Sequence, residues 1–141
     1  MARSDPYGAF NFLVEIDGLA IAGFNECSGL SSEVAVIEYR EGGDRTGTRK
    51  LPGLRKFTNI TLKRGLTASR DLWLWHRAVA SGTPDRRNGR IVLLDGDQQP
   101  VAAFRFTNGW IAKWEGPTLR ATGNDVAIES IEIVHEGLDL E

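Results

Sequence analysis

Few residues in this chain have the types and spacing that catalysis or ligand binding demands. Gly42-Gly43-Asp44-Arg45-Thr46-Gly47 has the glycine spacing of a phosphate-binding loop. The next residues are Thr48 and Arg49, where that motif requires lysine and then serine or threonine. Pro52 also blocks the helix whose N-terminus would hold the phosphate. His76 and His135 are the only histidines, and no HxxxH or HxxE spacing joins them. They are expected on a helix face and in a strand, as structural residues. Cys27 has neither a base nor an orienting acid beside it in the sequence, so it reads as a small buried hydrophobe rather than a nucleophile. Arg86-Arg87-Asn88-Gly89-Arg90 is basic, but nucleic-acid binding wants more such clusters and interleaved exposed aromatics. A solvated turn is the plainer reading. No catalytic residue, metal site or cofactor is expected.

Composition points the same way. The 141 residues suit one domain, 1–141, with an ordinary core, and the 41% hydrophobic and 26% charged fractions are those of a globular protein. No apolar run approaches a membrane span. Met1-Ala2-Arg3-Ser4-Asp5-Pro6 has no apolar signal region, so synthesis in the cytoplasm without a signal peptide is expected. The single cysteine excludes an internal disulfide. The net charge of −2 hides a segregation. Residues 40–56 hold six basic side chains against Glu41 and Asp44, and residues 125–141 hold six acidic ones and no Lys or Arg. Opposite patches on identical copies attract and set register, which suits a self-assembling subunit.

The elements are mostly strands. Phe10, Phe12, Val14 and Ile16 alternate with Asn11, Leu13, Glu15 and Asp17, the period of a half-buried strand ending at an Asp17-Gly18 turn. A β-branched strand over Val34–Tyr39 is followed by a long polar loop, Arg40–Lys56, carrying Gly42, Gly43, Gly47, Pro52 and Gly53. The next strand, Phe57–Arg64, puts Ile60 and Leu62 on one face and Asn59, Thr61 and Lys63 on the other. One helix is expected from about Ser69 to Ser81, capped by Thr67 or Ser69 and closed by Gly82 and Pro84. Leu72, Trp75, His76 and Val79 share its inner stripe. A hairpin follows, Arg90–Asp95 and Val101–Thr107, and a last strand over Asp125–Glu136. The apolar parity of that strand flips between Ile128 and Ile131, which predicts a β-bulge near Glu129-Ser130. The fold class is mainly β: an antiparallel sandwich or barrel with one flanking helix and a long extended loop.

An ordered set of motifs runs through nearly the whole chain. It comprises Ile16-Asp17-Gly18-Leu19, Ala22-Gly23-Phe24 with Cys27-Ser28-Gly29-Leu30, and Ile37 to Gly43. Leu51-Pro52-Gly53-Leu54, Asn59 to Gly65, and Leu72-Trp73 with Trp75 follow. Asn108-Gly109-Trp110, Lys113-Trp114, Gly116-Pro117 and Ile128-Glu129 complete it. In this order the chain resembles the tail-tube proteins of contractile phages and phage-tail-like injection systems. It departs from them where Ile111, not proline, follows Trp110, and in its short tail after Leu138.

The resemblance implies a structural subunit without enzymatic activity. It would form hexameric rings stacked into a hollow tube, which a contracting sheath drives into a target, as part of a phage-tail-like particle related in fold to the type VI secretion tube. Partners would be further copies of the chain, sheath protein, baseplate and tube-terminating proteins, with nucleic acid entering only as cargo. The loop would supply contacts between subunits through Arg40, Glu41, Asp44, Arg45, Arg49, Lys50, Leu51, Leu54 and Arg55. Asn59, Thr61 and Lys63 are the lumen candidates, and Arg70, Trp73 and Arg77 face outward from the helix. A tube-initiating paralogue at the baseplate is the alternative within the family. A monomeric ligand-binding β-barrel is the alternative outside it.

Overall fold

The computed structural model describes residues 6–8, 11–17, 19, 23–40, 42–43 and 47–141. Among these residues nine strands and one helix follow in the order β1 (Phe12–Ile16), β2 (Phe24–Ser28), β3 (Ser32–Tyr39), β4 (Arg49–Phe57), β5 (Ile60–Gly65), α1 (Asp71–Ala80), β6 (Arg87–Leu94), β7 (Pro100–Glu115), β8 (Ile128–Val134) and β9 (Gly137–Leu140). Seven strands form one antiparallel sheet in the order β1-β6-β7-β8-β5-β2, with β9 alongside β7. The other two, β3 and β4, pair only with each other among the described residues.

The long strand β7 organises the sheet. Its first part pairs with β6 and β9, its last part with β8. The change of partner falls at Asn108, which adopts φ 51°, a left-handed value that asparagine tolerates better than most residues. The Asn108 amide donates to Asn88 Oδ1 at 3.0 Å, and its side chain donates to Glu136 at 3.1 Å. The strand therefore does not stop at Thr107, as the pattern suggested, but kinks and continues to Glu115. Gly89 and Gly109 make room for the fully buried Phe106 ring, since a Cβ at either would lie 2.4 and 2.7 Å from that ring.

The core fills the side of the sheet that α1 covers. Val14, Ile16, Ile60, Leu62, Ile91, Phe106, Ile111, Ile131 and Ile133 meet Leu72 and Trp75 of the helix there. Alternation holds in β1 and β5, where Val14, Ile16, Ile60 and Leu62 are buried and Phe12 partly so, with Arg64 also inside. The β1 pattern is described only from Asn11 onward; Phe10 and Gly18 lie outside the described residues. The helix runs over Asp71–Ala80 and neither Thr67 nor Ser69 caps it, Arg70 standing at the cap position. Its other end is as expected. Gly82 at φ 91° lets its own amide bond the Val79 carbonyl and the Thr83 amide bond the Ala78 carbonyl, which closes the helix.

Two further expectations fail. About half of the supposed loop, Arg49 to Lys56, belongs to strand β4, which also takes in Phe57. Pro52 and Gly53 argue against a strand inside a sheet, but both strands of a two-stranded ribbon are edges, where proline is tolerated. The bulge foreseen in the last strand is also absent: β8 pairs with β5 in unbroken register from Ile128 to Ile133. Glu129 itself points inward beside Ile131 and Ile133, and Val126 lies before the strand, exposed. The irregularity falls instead in β7, between Ile111 and Lys113.

Candidate assembly surfaces

The β3–β4 ribbon is the first of three surfaces that could hold a partner. Val36 pairs with Pro52, and the next rung pairs Ile37 with Leu51. Consecutive rungs face opposite ways, so the ribbon is apolar on both faces. None of this surface is covered: Val36 is 65% exposed, Ile37 51% and Leu54 82%. Charged rungs flank it, with Glu38 opposite Lys50, Tyr39 opposite Arg49 and Glu33 opposite Lys56. Arg49, Lys50, Leu51, Leu54 and Arg55 are all exposed on β4, and Arg40 follows β3. Glu41, Asp44 and Arg45 lie outside the described residues. The root of the ribbon is tied down. The Thr58 hydroxyl donates to the Gly29 carbonyl at 2.9 Å, His135 sits 3.1 Å from the Thr58 carbonyl, and Phe57 packs against the His135 ring at 5.3 Å.

A second surface is the polar face of β5, β8 and β7. Thr61, Lys63, Lys113, Glu115, Ser130 and Glu132 line a shallow groove of about 230 Å³ there. Lys63 lies 3.6 Å from Glu26 and Lys113 3.9 Å from Glu115, so the face carries both charges in loose pairs. Two of the sequence-derived candidates, Thr61 and Lys63, meet on this face. Asn59 precedes β5 and is exposed outside the groove. The four further groove residues share the outward alternation of β7 and β8, a signal that was readable once β8 was known to lie between β5 and β7.

The third surface lies beside α1. Leu66, Ser69, Arg70, Trp73, Trp114 and Glu129 line an apolar groove of about 350 Å³. Trp73 meets Trp114 edge-on at 5.0 Å, and Arg70 donates to the Thr67 carbonyl at 2.7 Å. Arg77, in the last helical turn, is exposed. Beneath the groove a charged cluster is buried. Arg64 donates from Nε to Glu129 Oε1 and from Nη2 to Asp71 Oδ1, both at 2.5 Å. Trp114 Nε1 donates to Glu129 Oε2 at 3.0 Å, and the Arg64 guanidinium lies 5.5 Å from the Phe24 ring. Burial pushes the Asp71 carboxyl up, but the Arg64 hydrogen bond, the Leu72 amide and the Arg64 charge together hold it below its ordinary value. Burial likewise lowers Arg64, and its two carboxylate partners outweigh that and raise it.

Groups capable of chemistry are scattered or occupied. Among the described residues no three His, Cys, Asp or Glu cluster to hold a metal. The Cys27 thiol is pushed up to about 11 by burial, so it is protonated at neutral pH. His76 Nδ1 lies 2.9 Å from the Ile111 carbonyl, and His135 is buried between Phe57 and Phe106. Strand β4 follows Gly47 where a P-loop needs a helix, so among the described residues the helix N-terminus that would bind phosphate is absent. The basic cluster is not the expected turn: Arg87 to Arg90 open strand β6, and its arginines are paired, Arg86 with Glu136, Arg87 with Asp85, and Arg90 with Glu15 and Glu141. No helix among the described residues is long and apolar enough to cross a membrane.

Comparison with known proteins accounts for this arrangement. No curated protein sequence matches the chain. Among solved structures, the sheath–tube complex of the extracellular contractile injection system PVC in its extended state contains a similar chain. That chain is 25% identical, with a TM-score of 0.87 and coverage of 96% of this chain and 91% of the other. A chain from the PVC sheath/tube terminator, also 25% identical, matches with a TM-score of 0.89 over 99% of both chains. Hcp1 from Flavobacterium johnsoniae, at 13% identity, shares the fold alone, with a TM-score of 0.56 over 92% of this chain and 93% of that one. The family model described as T4-like virus tail tube protein gp19 matches residues 8–139. It decides against a monomeric ligand-binding barrel and for a structural tube component of a phage-tail-like particle. The chain belongs to the T4-like tail tube protein family.

Proposed function

We propose that this chain polymerises as hexameric rings stacked into the inner tube of a contractile injection particle, with the β3–β4 ribbon as the arm that joins copies. One observation carries this reading: a two-stranded ribbon, apolar on both faces, stands uncovered beside a complete sheet. An isolated ribbon of this kind is marginal in water, and so much exposed apolar surface marks an interaction site. An arm that reaches from one copy to a different surface on the next makes a heterologous contact, which closes into rings or extends along an axis. The mixed-charge face of β5, β8 and β7 would then line the lumen, and α1 would lie on the outer wall towards the sheath. The subunit would act by geometry alone, without catalysis or cofactor, and cargo would pass through a hydrated channel.

The arm can be tested by replacing Arg49, Lys50 and Arg55 together with Glu. The expected variant melts like the parent and forms no tubes in negative-stain electron microscopy. Tubes of normal length and number would overturn the arm's role. Parent protein that forms single rings and never elongates would place the chain at the tube–baseplate junction instead.

A further inference from the structure

We infer that the connection between β7 and β8, residues 116–127, is the landing site for the β3–β4 arm of a second copy. This rests on the arm reading above and names where the arm goes. The strand ends carry it. β5 runs antiparallel to β2 and β8, and β8 antiparallel to β7, so these four strands share two ends. The arm leaves after Ser28 of β2 and returns at Ile60 of β5, level with Ile133 of β8. The 116–127 connection runs from Glu115 to Ile128, and Ile128 is level with Gly65 at the far end of β5. Arm root and connection therefore stand at opposite ends of one block of strands. A contact between them, made from copy to copy, repeats head to tail and does not close as a two-fold pair.

The connection carries apolar surface that its own subunit leaves bare. Leu119 is 81% exposed and Val126 74%. Val126 Cγ1 stands over Gly65, 3.8 Å from where a Cβ would lie, and the Leu66 amide donates to the Ala127 carbonyl at 2.8 Å. Exposed Leu66 thus extends the patch. Beside it, Thr118, Leu119, Arg120, Gly123, Asp125 and Ala127 surround a hollow of about 320 Å³. One cation and one carboxylate face that hollow.

The arm presents the same order of groups on one of its faces. Val36 and Pro52 form an apolar rung, and two positions nearer the tip Glu38 lies opposite Lys50 on that same face. Glu38, Lys50, Arg120 and Asp125 are all exposed, and none is in an ion pair among the described residues. With the Val36–Pro52 rung over Leu119 and Val126, Lys50 would meet Asp125 and Glu38 would meet Arg120. Net charge selects nothing here, since each side has one charge of each sign. The match is made sign by sign: one orientation opposes unlike charges, and the reversed one brings like charges together.

Exchanging charges in the full chain, assembled without sheath, tests this landing site. Lys50→Asp and Asp125→Lys should each raise the critical concentration for tube formation at least about tenfold, because like charges then face each other. The two together should return it to within about threefold of the parent. Single variants that assemble like the parent, or a double variant no better than the worse single one, would overturn the landing site. A second readout is independent of charge. Tubes carrying Thr118→p-benzoylphenylalanine, irradiated and digested, should join residue 118 to residues 34–52 of another copy. Cross-links only to other segments, or none between copies, would overturn it as well. If the Arg49, Lys50 and Arg55 to Glu variant still forms no tubes in that case, the arm reading survives and only its landing place is lost. Normal tubes from that triple variant would remove both.

Discussion

At the scale of single residues, the cluster of Arg64, Glu129 and Asp71 shows what a chain pattern conceals. Alternation reads Glu129 as a break in the apolar parity of its strand, since charged residues are seldom buried. Its partner Arg64 lies 65 residues away, on the neighbouring strand β5, and nothing local announces the pair. Removing one member of a buried pair leaves the other uncompensated, so Glu129→Ala should lower stability by about 3–5 kcal/mol in denaturant melting. A loss near zero would mean that Arg64 is satisfied without it. The acid limb of stability should carry the signature of Asp71. Its folded value is held below the ordinary 3.8, so its contribution is present above that pH and is lost as pH falls below it. Asp71→Asn should therefore flatten the decline in melting temperature below about pH 4 relative to the parent. An unchanged acid limb would place the effect elsewhere.

At the scale of elements, the helix was legible and the arm only half so. Leu72 and Trp75 sit on the expected inner stripe, with Val79 half-buried behind them and Gly82 closing the helix. Trp75 is 2% exposed, its Nε1 donates to the Asp85 carbonyl at 2.8 Å, and Arg87 covers its ring at 5.0 Å. Trp75→Ala should cost about 3–5 kcal/mol by denaturant melting, and a near-zero cost would contradict this packing. The arm hid its second strand behind Pro52 and Gly53, because breaker residues report local conformation and not whether a strand has one neighbour or two. Its exposed leucines contribute nothing to the core. Leu51→Ser with Leu54→Ser should change monomer stability by less than about 0.5 kcal/mol each while abolishing tubes. Such a split between melting and assembly is the mark of a surface kept apolar for a partner.

At the scale of the whole molecule, the fold class, the single helix and the long reach between β3 and β5 were all readable from periodicity and breakers. The sheet order was not, because the pairing of β7 with three strands depends on its kink at Asn108. The lumen face proposed above, on β5, β8 and β7, relies on that order. In assembled tubes, Thr61→Cys should react readily with a small maleimide and at least about tenfold more slowly with a bulky one, as expected of a side chain inside a closed barrel. Equal rates would put it outside. The native Cys27 adds little background, since burial keeps its thiol protonated at neutral pH. The central claim, however, is polymerisation, and cryo-electron microscopy of the purified chain tests it most directly. Six-fold rings stacked into a hollow tube, with density for the β3–β4 ribbon crossing between subunits, are the expected result. Monodisperse particles of 15.5 kDa that never associate, even at high concentration, would contradict it.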